Sequence, residues 1–352
     1  MRILVTGAAG LIGSQASKHY IDKGYQVFGI ENNMRKLFFG DRGDVGRQLS
    51  ELNAYSNFTH MNVDIRDKEF IDAGMRRAKP DVIIHTAAQP SHDKAAEIPH
   101  LDFETNALGT LNLLESTRKY CPKSIFIHIS TNKVYGDRPN TMPLVEKDMR
   151  YDFAENIGDY PGASYEGFSE ELSIDNSMHS LFGVSKLAAD ILAQEYGRYF
   201  EMNVGIFRGG CLTGPQHAGV ELHGFLSYII KCAMHGKTYK VFGYKGKQVR
   251  DQIHCHDVVS CFDYFIESPK KGEVYNLGGG RKNSTSVLEV IGLIHEKSGR
   301  MLDYSIGQEN RKGDHICYIT DMTKFMDHYP GWKKDYDLEN IVEELIEYEV
   351  NK

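Results

Sequence analysis

No apolar run in this sequence approaches the roughly 18 residues that a membrane-spanning helix needs. An excess of positive charge is missing as well. Lysine and arginine number 41 against 48 acidic residues, for a net charge of −7. Such a field favours neither nucleic acid nor an anionic membrane, so an anionic substrate needs a local cluster of arginine and lysine. No C-x-x-C pair occurs among Cys121, Cys211, Cys232, Cys255, Cys261 and Cys317. In a chain of this length they read as reduced thiols of a cytoplasmic compartment. His254-Cys255-His256-Asp257 gathers metal-ligand types, but alternation along a strand sends neighbours to opposite faces, and no metal is expected. Repeats and flexible linkers are absent. The strand-like Ile3-Leu4-Val5 comes at once and leaves no room for a signal peptide.

What is present is ordinary for a globular protein: 352 residues, 41% hydrophobic and 25% charged, enough for two lobes. Strand-like and helix-like segments alternate through the first half, which predicts an α/β fold, a doubly wound parallel Rossmann sheet with helices on both faces. The strands are Ile3–Thr6, Gln26–Glu31, Asp81–Ala87, Ser124–Ser130 and Asn203–Phe207. The helices are Leu11–Lys23, Phe103–Tyr120, with Leu108, Leu111 and Leu114 on one side, and Ser185–Phe200. Arg35–Asn57 is a polar excursion, and Asn140–Ser180 has no clean period, as in a lid or a disordered loop. Residues 1–180 are expected to form the nucleotide-binding domain, with some later segments returning to it. Residues 181–352 are expected to form mainly a smaller mixed α/β substrate lobe.

Thr6-Gly7-Ala-Ala9-Gly10-Leu11-Ile12-Gly13 falls between a strand and a helix. Gly7 permits a tight turn, Gly10 lets backbone approach a pyrophosphate, and Gly13 lets helix and strand pack closely. The helix N-terminus then offers N–H groups and a positive dipole end. Glu31 follows the next strand, where a carboxylate accepts hydrogen bonds from ribose hydroxyls and repels a 2′-phosphate, favouring NAD over NADP. Arg35 and Lys36 nearby oppose that preference. Asp64-Ile65 reads equally as an adenine contact or a strand-end cap. Asn32, Asn33 and, after the strand ending at Ala87, Thr86, Ala87 and Ala88 complete the expected cofactor wall.

With Gly7–Gly13, Asn106, Ser130-Thr131-Asn132-Lys133-Val134-Tyr135-Gly136 and Ser185-Lys186 in place, the sequence resembles the extended short-chain dehydrogenases that modify nucleotide sugars. Ser130–Asp137 and Gly246–Asp251 are most similar to the CDP-paratose 2-epimerases (CDP-tyvelose epimerases). The resemblance implies oxidation of a nucleotide sugar by enzyme-bound NAD, rotation of the keto sugar, and reduction from its other face. It implies Thr131 as hydroxyl partner of the reacting oxygen, and Lys186 as a cation on the nicotinamide ribose. Ser130, Asn106 and Arg208 join the cofactor set. It also implies a role in polysaccharide biosynthesis and a homodimer, paired through Phe103–Tyr120 and Ser185–Phe200. Nucleotide-sugar 4,6-dehydratases carry Asp-Glu where this chain has Asn132-Lys133. A neutral amide and an ammonium cannot act as that acid–base pair, so dehydration is disfavoured.

The family motif Tyr-x-x-x-Lys reads Phe182-Gly-Val-Ser-Lys186 here. The i, i+4 spacing puts both residues on one helix face, but phenylalanine has no ionisable group. The chain is an engineered Tyr→Phe variant, a natural branch with another base, or a protein that binds without turnover. Tyr165, His179 and Lys133 are candidate replacements, and histidine has the best ordinary pKa for the task.

A nucleotide diphosphate needs cations, and Arg250, Arg311 and Arg208 offer guanidinium forks for phosphate oxygens. Asp314 accompanies Arg311. His217 and His223-Gly224-Phe225 fall where the resemblance implies contacts to the base. Gln89, Ser91, His92 and Asn132 are expected at the sugar. A 4-epimerase, a net dehydrogenase and a silent binding protein remain open beside the 2-epimerase.

Overall fold

The computed structural model describes residues 1–217, 219, 224–307 and 313–351. It resolves into two compact units, both discontinuous in sequence. The first comprises Met1–Val134, Ser180–Arg208 and Val258–Tyr275; the second comprises Tyr135–His179, Gly209–Asp257 and Asn276–Lys352. Tyr135–His179, expected in the nucleotide-binding domain, falls in the second unit, while the later segments Ser180–Arg208 and Val258–Tyr275 fall in the first. The reason lies in the sheet, which recruits its last strands from far along the chain.

That sheet has seven strands. β1 (Arg2–Thr6), β2 (Gln26–Ile30), β3 (Phe58–Met61), β4 (Val82–His85) and β5 (Ile125–Thr131) are joined by Asn203–Gly209 and Glu273–Leu277. Their order is Glu273–Leu277, Asn203–Gly209, β5, β4, β1, β2, β3. The pairs β1–β2, β2–β3, β1–β4 and β4–β5 are parallel. β4 is buried throughout and β1 nearly so, which is why they read as continuous apolar runs rather than as alternating ones. Leu4, Phe28, Ile83, Phe126, Leu113, Leu114 and Val204 belong to one apolar cluster of this unit. Strand order reverses between β1 and β4, and open α/β sheets bind ligands beyond strand ends at such a point.

The helix predicted at Phe103–Tyr120 is longer and contains a wide turn. Pro99–Phe103 runs through a π turn, Glu104–Leu108, into Gly109–Tyr120. The extra residue in that turn changes the facing of the helix, so Leu108 is 40% exposed while Leu113 and Leu114 are buried. The polar excursion after β2 is largely helical, with Met34–Phe39 and Gly46–Asn53.

In the second unit, Val249–His254 pairs with Ser284–Ser286, Cys317–Tyr318 and Cys211–Thr213. Helices Phe225–Met234, Val287–Ser298 and Leu338–Val350 enclose a separate core around Ile229, Ile230, Val290, Ile294, Ile341 and Leu345. The aperiodic stretch after residue 140 is ordered: it forms the hairpin Leu144–Glu146/Tyr151–Phe153, and Phe168 bridges to both Ala163 and Thr320. Among the described residues no disulfide forms, and no helix is long and apolar enough to cross a membrane.

Candidate active site

Gly7 leaves β1 with φ +66°, a conformation that costs glycine nothing. A Cβ there would lie 2.9 Å from both Cα and N of Ala87. The turn thus abuts the end of β4 at the switch point. Thr86 Oγ1 donates to the Thr6 carbonyl at 2.7 Å, and Ala87 N–H donates to Thr6 Oγ1 at 3.2 Å. Ala88 is half-buried beside them. Helix α1 (Leu11–Asp22) starts after Gly10, whose lack of a side-chain cap leaves first-turn N–H groups for an anion. Leu11 is half-buried, while Ile12 and Gly13 pack inward.

Glu31 is buried at the end of β2. Its Oε2 accepts from Ala9 N–H at 3.2 Å and its Oε1 from Asn33 N–H at 2.8 Å. A left-handed Asn33 (φ 57°) and an Asn32 side chain accepting from Met34 N–H turn the chain into the next helix. Arg35 lies over Phe39 at 4.8 Å; burial lowers its pKa to about 10 although Glu31 pulls it upward, so it stays cationic at neutral pH. Asp64 is taken up by Arg66 at 2.7 Å, and Ile65 packs under Gly109. The cradle suits NAD: Gly7–Gly13 would hold the pyrophosphate and Glu31 the ribose, and bound NAD would supply hydride acceptance and return.

Thr131 ends β5. Its Oγ1 accepts from Lys133 N–H at 3.2 Å and faces Asn132 Oδ1 at 3.5 Å; Asn132 is buried and Lys133 partly exposed. Lys186 is buried in the helix Leu181–Arg198, and its Nζ donates to the Ile129 carbonyl at 2.7 Å. Burial lowers its pKa to about 8, against upward pulls from Asp190 and Asp102. Phe182 is also buried, one turn earlier. Ser180 caps this helix by accepting from Gly183 N–H at 3.0 Å.

A buried polar hub surrounds these residues; sequence reasoning named Asn106, Gln89, Ser91 and Ser185 in other roles and missed Asp102 and Asp190. Asn106, inside the π turn, donates to Gln89 O, Asp102 Oδ1 and Ser185 Oγ at 3.0–3.2 Å. Gln89 Nε2 donates to Asp102 at 2.7 Å and its Oε1 accepts from Ser91 N–H at 2.6 Å. Gln89 and Ser91, expected to meet the sugar, are instead enclosed, at 0% and 3% exposure. Their polar atoms close the loop after β4. His92 opens the short helix that Ser91 caps. Arg208 is corrected in the same way. Its fork binds both oxygens of Asp190, at 3.0 and 2.9 Å, and is 6% exposed, so a buried ion pair takes the place of a phosphate contact. Ser130 Oγ donates to Asp190 at 2.5 Å.

In the second unit Arg250 and Asp314 come together at 2.6 Å, and Arg250 also donates to the His315 carbonyl. Gly224 (φ +83°) packs on the ring of His217, 2.6 Å from where a Cβ would sit, and Phe225 starts the following helix. Tyr165 is exposed under the Arg281 guanidinium, at 3.7 Å. His179 Nε2 bonds the Ile174 carbonyl at 2.9 Å. His223 and Arg311 lie outside the described residues. Strand alternation does not govern residues 254–257, because the strand ends at His254 and a helix starts at Cys255. His254 pairs with Glu344 at 2.7 Å. His256, Asp257 and Asp335 approach one another, but Asp257 spends both oxygens on the Asp335 and Tyr336 N–H groups.

Comparison with known proteins agrees with this geometry. Residues 3–278 match the NAD dependent epimerase/dehydratase family. The chain is 30% identical to the CDP-paratose 2-epimerase of Salmonella typhi over 331 residues, 92% of each chain. It is also 30% identical to the dTDP-glucose 4,6-dehydratase of Salmonella typhimurium, over 99% of this chain and 92% of that one. The crystal structure of the Thermus thermophilus UDP-glucose 4-epimerase with NAD superposes with a TM-score of 0.77 at 26% identity, covering 99% of both chains.

Proposed function

We propose that this chain, which belongs to the NAD dependent epimerase/dehydratase family and uses NAD as its cofactor, is a nucleotide-sugar 2-epimerase acting on a CDP-deoxyhexose. One observation carries the choice of epimerisation over dehydration. Thr131 is followed by a buried neutral amide, Asn132, and then by Lys133. Removing water from a sugar requires an acid and a base beside the oxidised carbon, and an amide is neither. The CDP-sugar reading is supported by similarity to the Salmonella typhi CDP-paratose 2-epimerase along 92% of the chain.

In this reading the Gly7–Gly13 turn and Glu31 hold NAD, and Thr131 and Lys186 face the reacting hydroxyl. Arg250 and Arg311 bind the nucleotide phosphates, and His217, His223, Gly224 and Phe225 bind the base. Net chemistry is redox-neutral, because the hydride removed from the sugar returns to it. We also assign a cytoplasmic homodimer. Leu181, Val184 and Ile191 on Leu181–Arg198 and Leu108 on the preceding long helix are exposed apolar side chains suited to a second copy.

The test is incubation with CDP-, UDP- and dTDP-hexoses, with epimers resolved by proton NMR and NADH followed at about 340 nm. Inversion at C2 of a CDP-sugar, with no net NADH, is the expected result. A dehydrated 4-keto product would reject the reading. Buried Phe182 favours a second reading, binding without turnover, which binding of a CDP-sugar with no epimer and no NADH transient would establish.

A further inference from the structure

We propose that Lys186 itself accepts and returns the proton of the reacting sugar hydroxyl, in place of the phenol missing at position 182, and that Asp102 is the positioning residue that tunes it. The inference rests on the epimerase reading above. As the carbinol C–H gives its hydride to NAD, the O–H proton passes to the lone pair of neutral Nζ, leaving a ketone and an ammonium. When hydride returns on the opposite face, the ammonium gives that proton back to oxygen.

The geometry suits a lysine that works in both charge states. Among the described residues Nζ is anchored by a single N–H bond, to the Ile129 carbonyl at 2.7 Å. A neutral amine keeps that bond with one of its two hydrogens and still presents a lone pair. Phe182, one turn away on the same helix, offers neither charge nor hydrogen bond and leaves the proton to the amine.

The charges facing Lys186 set its basicity. Asp190, on its own helix, is neutralised by the bidentate Arg208 from the neighbouring strand and also accepts from Ser130 and Gln194. His85 on β4 and His128 on β5 are fully buried and held neutral, since burial first and Lys186 second push both down, His85 to about 3. Asp102, on Pro99–Phe103, is bound by the amides of Gln89 and Asn106 and by the Ser185 hydroxyl, neutral groups that order it without cancelling its charge. Burial raises its own pKa. Dehydration of the ammonium outweighs both carboxylates and brings Lys186 to about 8. At neutral pH about a tenth of such a lysine is neutral, against fewer than about one in a thousand for an ordinary one.

The other candidates lack this setting. Tyr165 is 58% exposed, and Lys133 is partly exposed in the 3-10 turn Asn132–Tyr135. His179 is half-buried, with its Nε2 on the Ile174 carbonyl.

The experiment is a carbon-13 NMR titration of the lysine Cε resonances in the whole protein, Lys186 being assigned by its loss in Lys186→Arg. It is paired with the pH profile of CDP-sugar epimerisation. Lys186 is expected to titrate near 8, and Asp102→Asn, by removing a negative charge, to shift that midpoint and the acid limb of kcat together to lower pH by about one unit. Lys186→Arg retains a cation that cannot release its proton; it is expected to bind NAD, by fluorescence titration, while losing turnover by at least about 100-fold. Turnover within about tenfold of the parent in Lys186→Arg, or a Lys186 that titrates with the surface lysines, overturns the assignment and leaves the epimerase reading standing. No turnover of any nucleotide sugar by a parent whose Lys186 titrates near 8 overturns the epimerase reading and, with it, the catalytic assignment.

Discussion

A Cβ on Gly13 would stand 2.0 Å from the carbonyl oxygen of Gly7. Helix α1 and the turn that precedes it are therefore in backbone contact, and no side chain fits between them. Gly13→Ala is expected to lower stability by about 1–3 kcal/mol or more and to abolish NAD binding. Gly10 is different: its Cβ would have 3.3 Å to Gly7 O, and its φ is −71°. Gly10→Ala should melt near the parent temperature yet bind NAD weakly. Thermal melts with and without NAD separate the two, and equal loss of apo stability in both variants would contradict the distinction.

Glu31 is expected to decide which dinucleotide fits. Its carboxylate already accepts from Ala9 and Asn33 N–H groups, and Arg35 stands close enough to feel its charge. Glu31→Ala should weaken NAD by about 10- to 100-fold, the worth of a charged hydrogen bond. The same change leaves Arg35 to receive a 2′-phosphate, so the NADP-to-NAD affinity ratio should rise. An unchanged ratio in paired fluorescence titrations would remove Glu31 from the specificity role.

Arg208 is expected to behave as a stability residue. Removing one partner of its buried pair with Asp190 strands a charge, at a cost of about 3–5 kcal/mol. Arg208→Met should lower the urea midpoint sharply while the remaining folded protein binds NAD as before. Normal stability with lost NAD affinity would return Arg208 to the cofactor site.

Two histidines predict acid sensitivity. Burial holds His85 at about 3 and His128 well below the ordinary value, while both regain a pKa near about 6.5 when unfolded. Between those limits the unfolded chain binds protons that the folded chain refuses. Their stabilising effect is thus complete above about 6.5 and is lost progressively as pH falls toward 3. Among the described residues neither ring nitrogen of His128 has a hydrogen-bond partner, so His128→Leu forfeits no hydrogen bond. It should flatten the fall in denaturation midpoint between pH 6.5 and pH 4, by about several kcal/mol at the acid end. A parallel pH dependence in the variant would show that His128 is protonated in the fold.

The first unit was legible where local chemistry decides structure. Gly7, Gly10, Gly13 and Glu31 lie close together in sequence, and each constraint they meet is set within one strand–turn–helix. The hub of Gln89, Asp102, Asn106 and Ser185 was not legible, because its bonds join residues 13 to 79 positions apart. Only the Asp102/Asn106 pair, one helical turn apart, left a local trace. A π turn has no compositional mark, so the facing of Leu108 was misjudged. Gln89 and Ser91 were assigned to substrate from their place after β4, but a loop turning back on itself used their polar atoms first. Residues 254–257 look like strand continuation by composition; the change to helix at Cys255 comes with contacts from Tyr336 and Glu344, far along the chain.

The seven-stranded sheet ends at Glu273–Leu277, which has a consequence for synthesis. β1 to β5 leave the ribosome while the chain that will flank them is still being made, at about 5–20 residues per second. Until Asn203–Gly209 and then Glu273–Leu277 emerge, the nascent sheet carries an open edge beside β5, the kind of surface that pairs with other chains. A gene fragment stopping at residue 180 would fix that unfinished state permanently, so a nucleotide-binding fragment made this way is expected to need a chaperone or to aggregate. The nucleotide turn is made well before the sheet that supports it is complete, because that sheet waits for Glu273–Leu277.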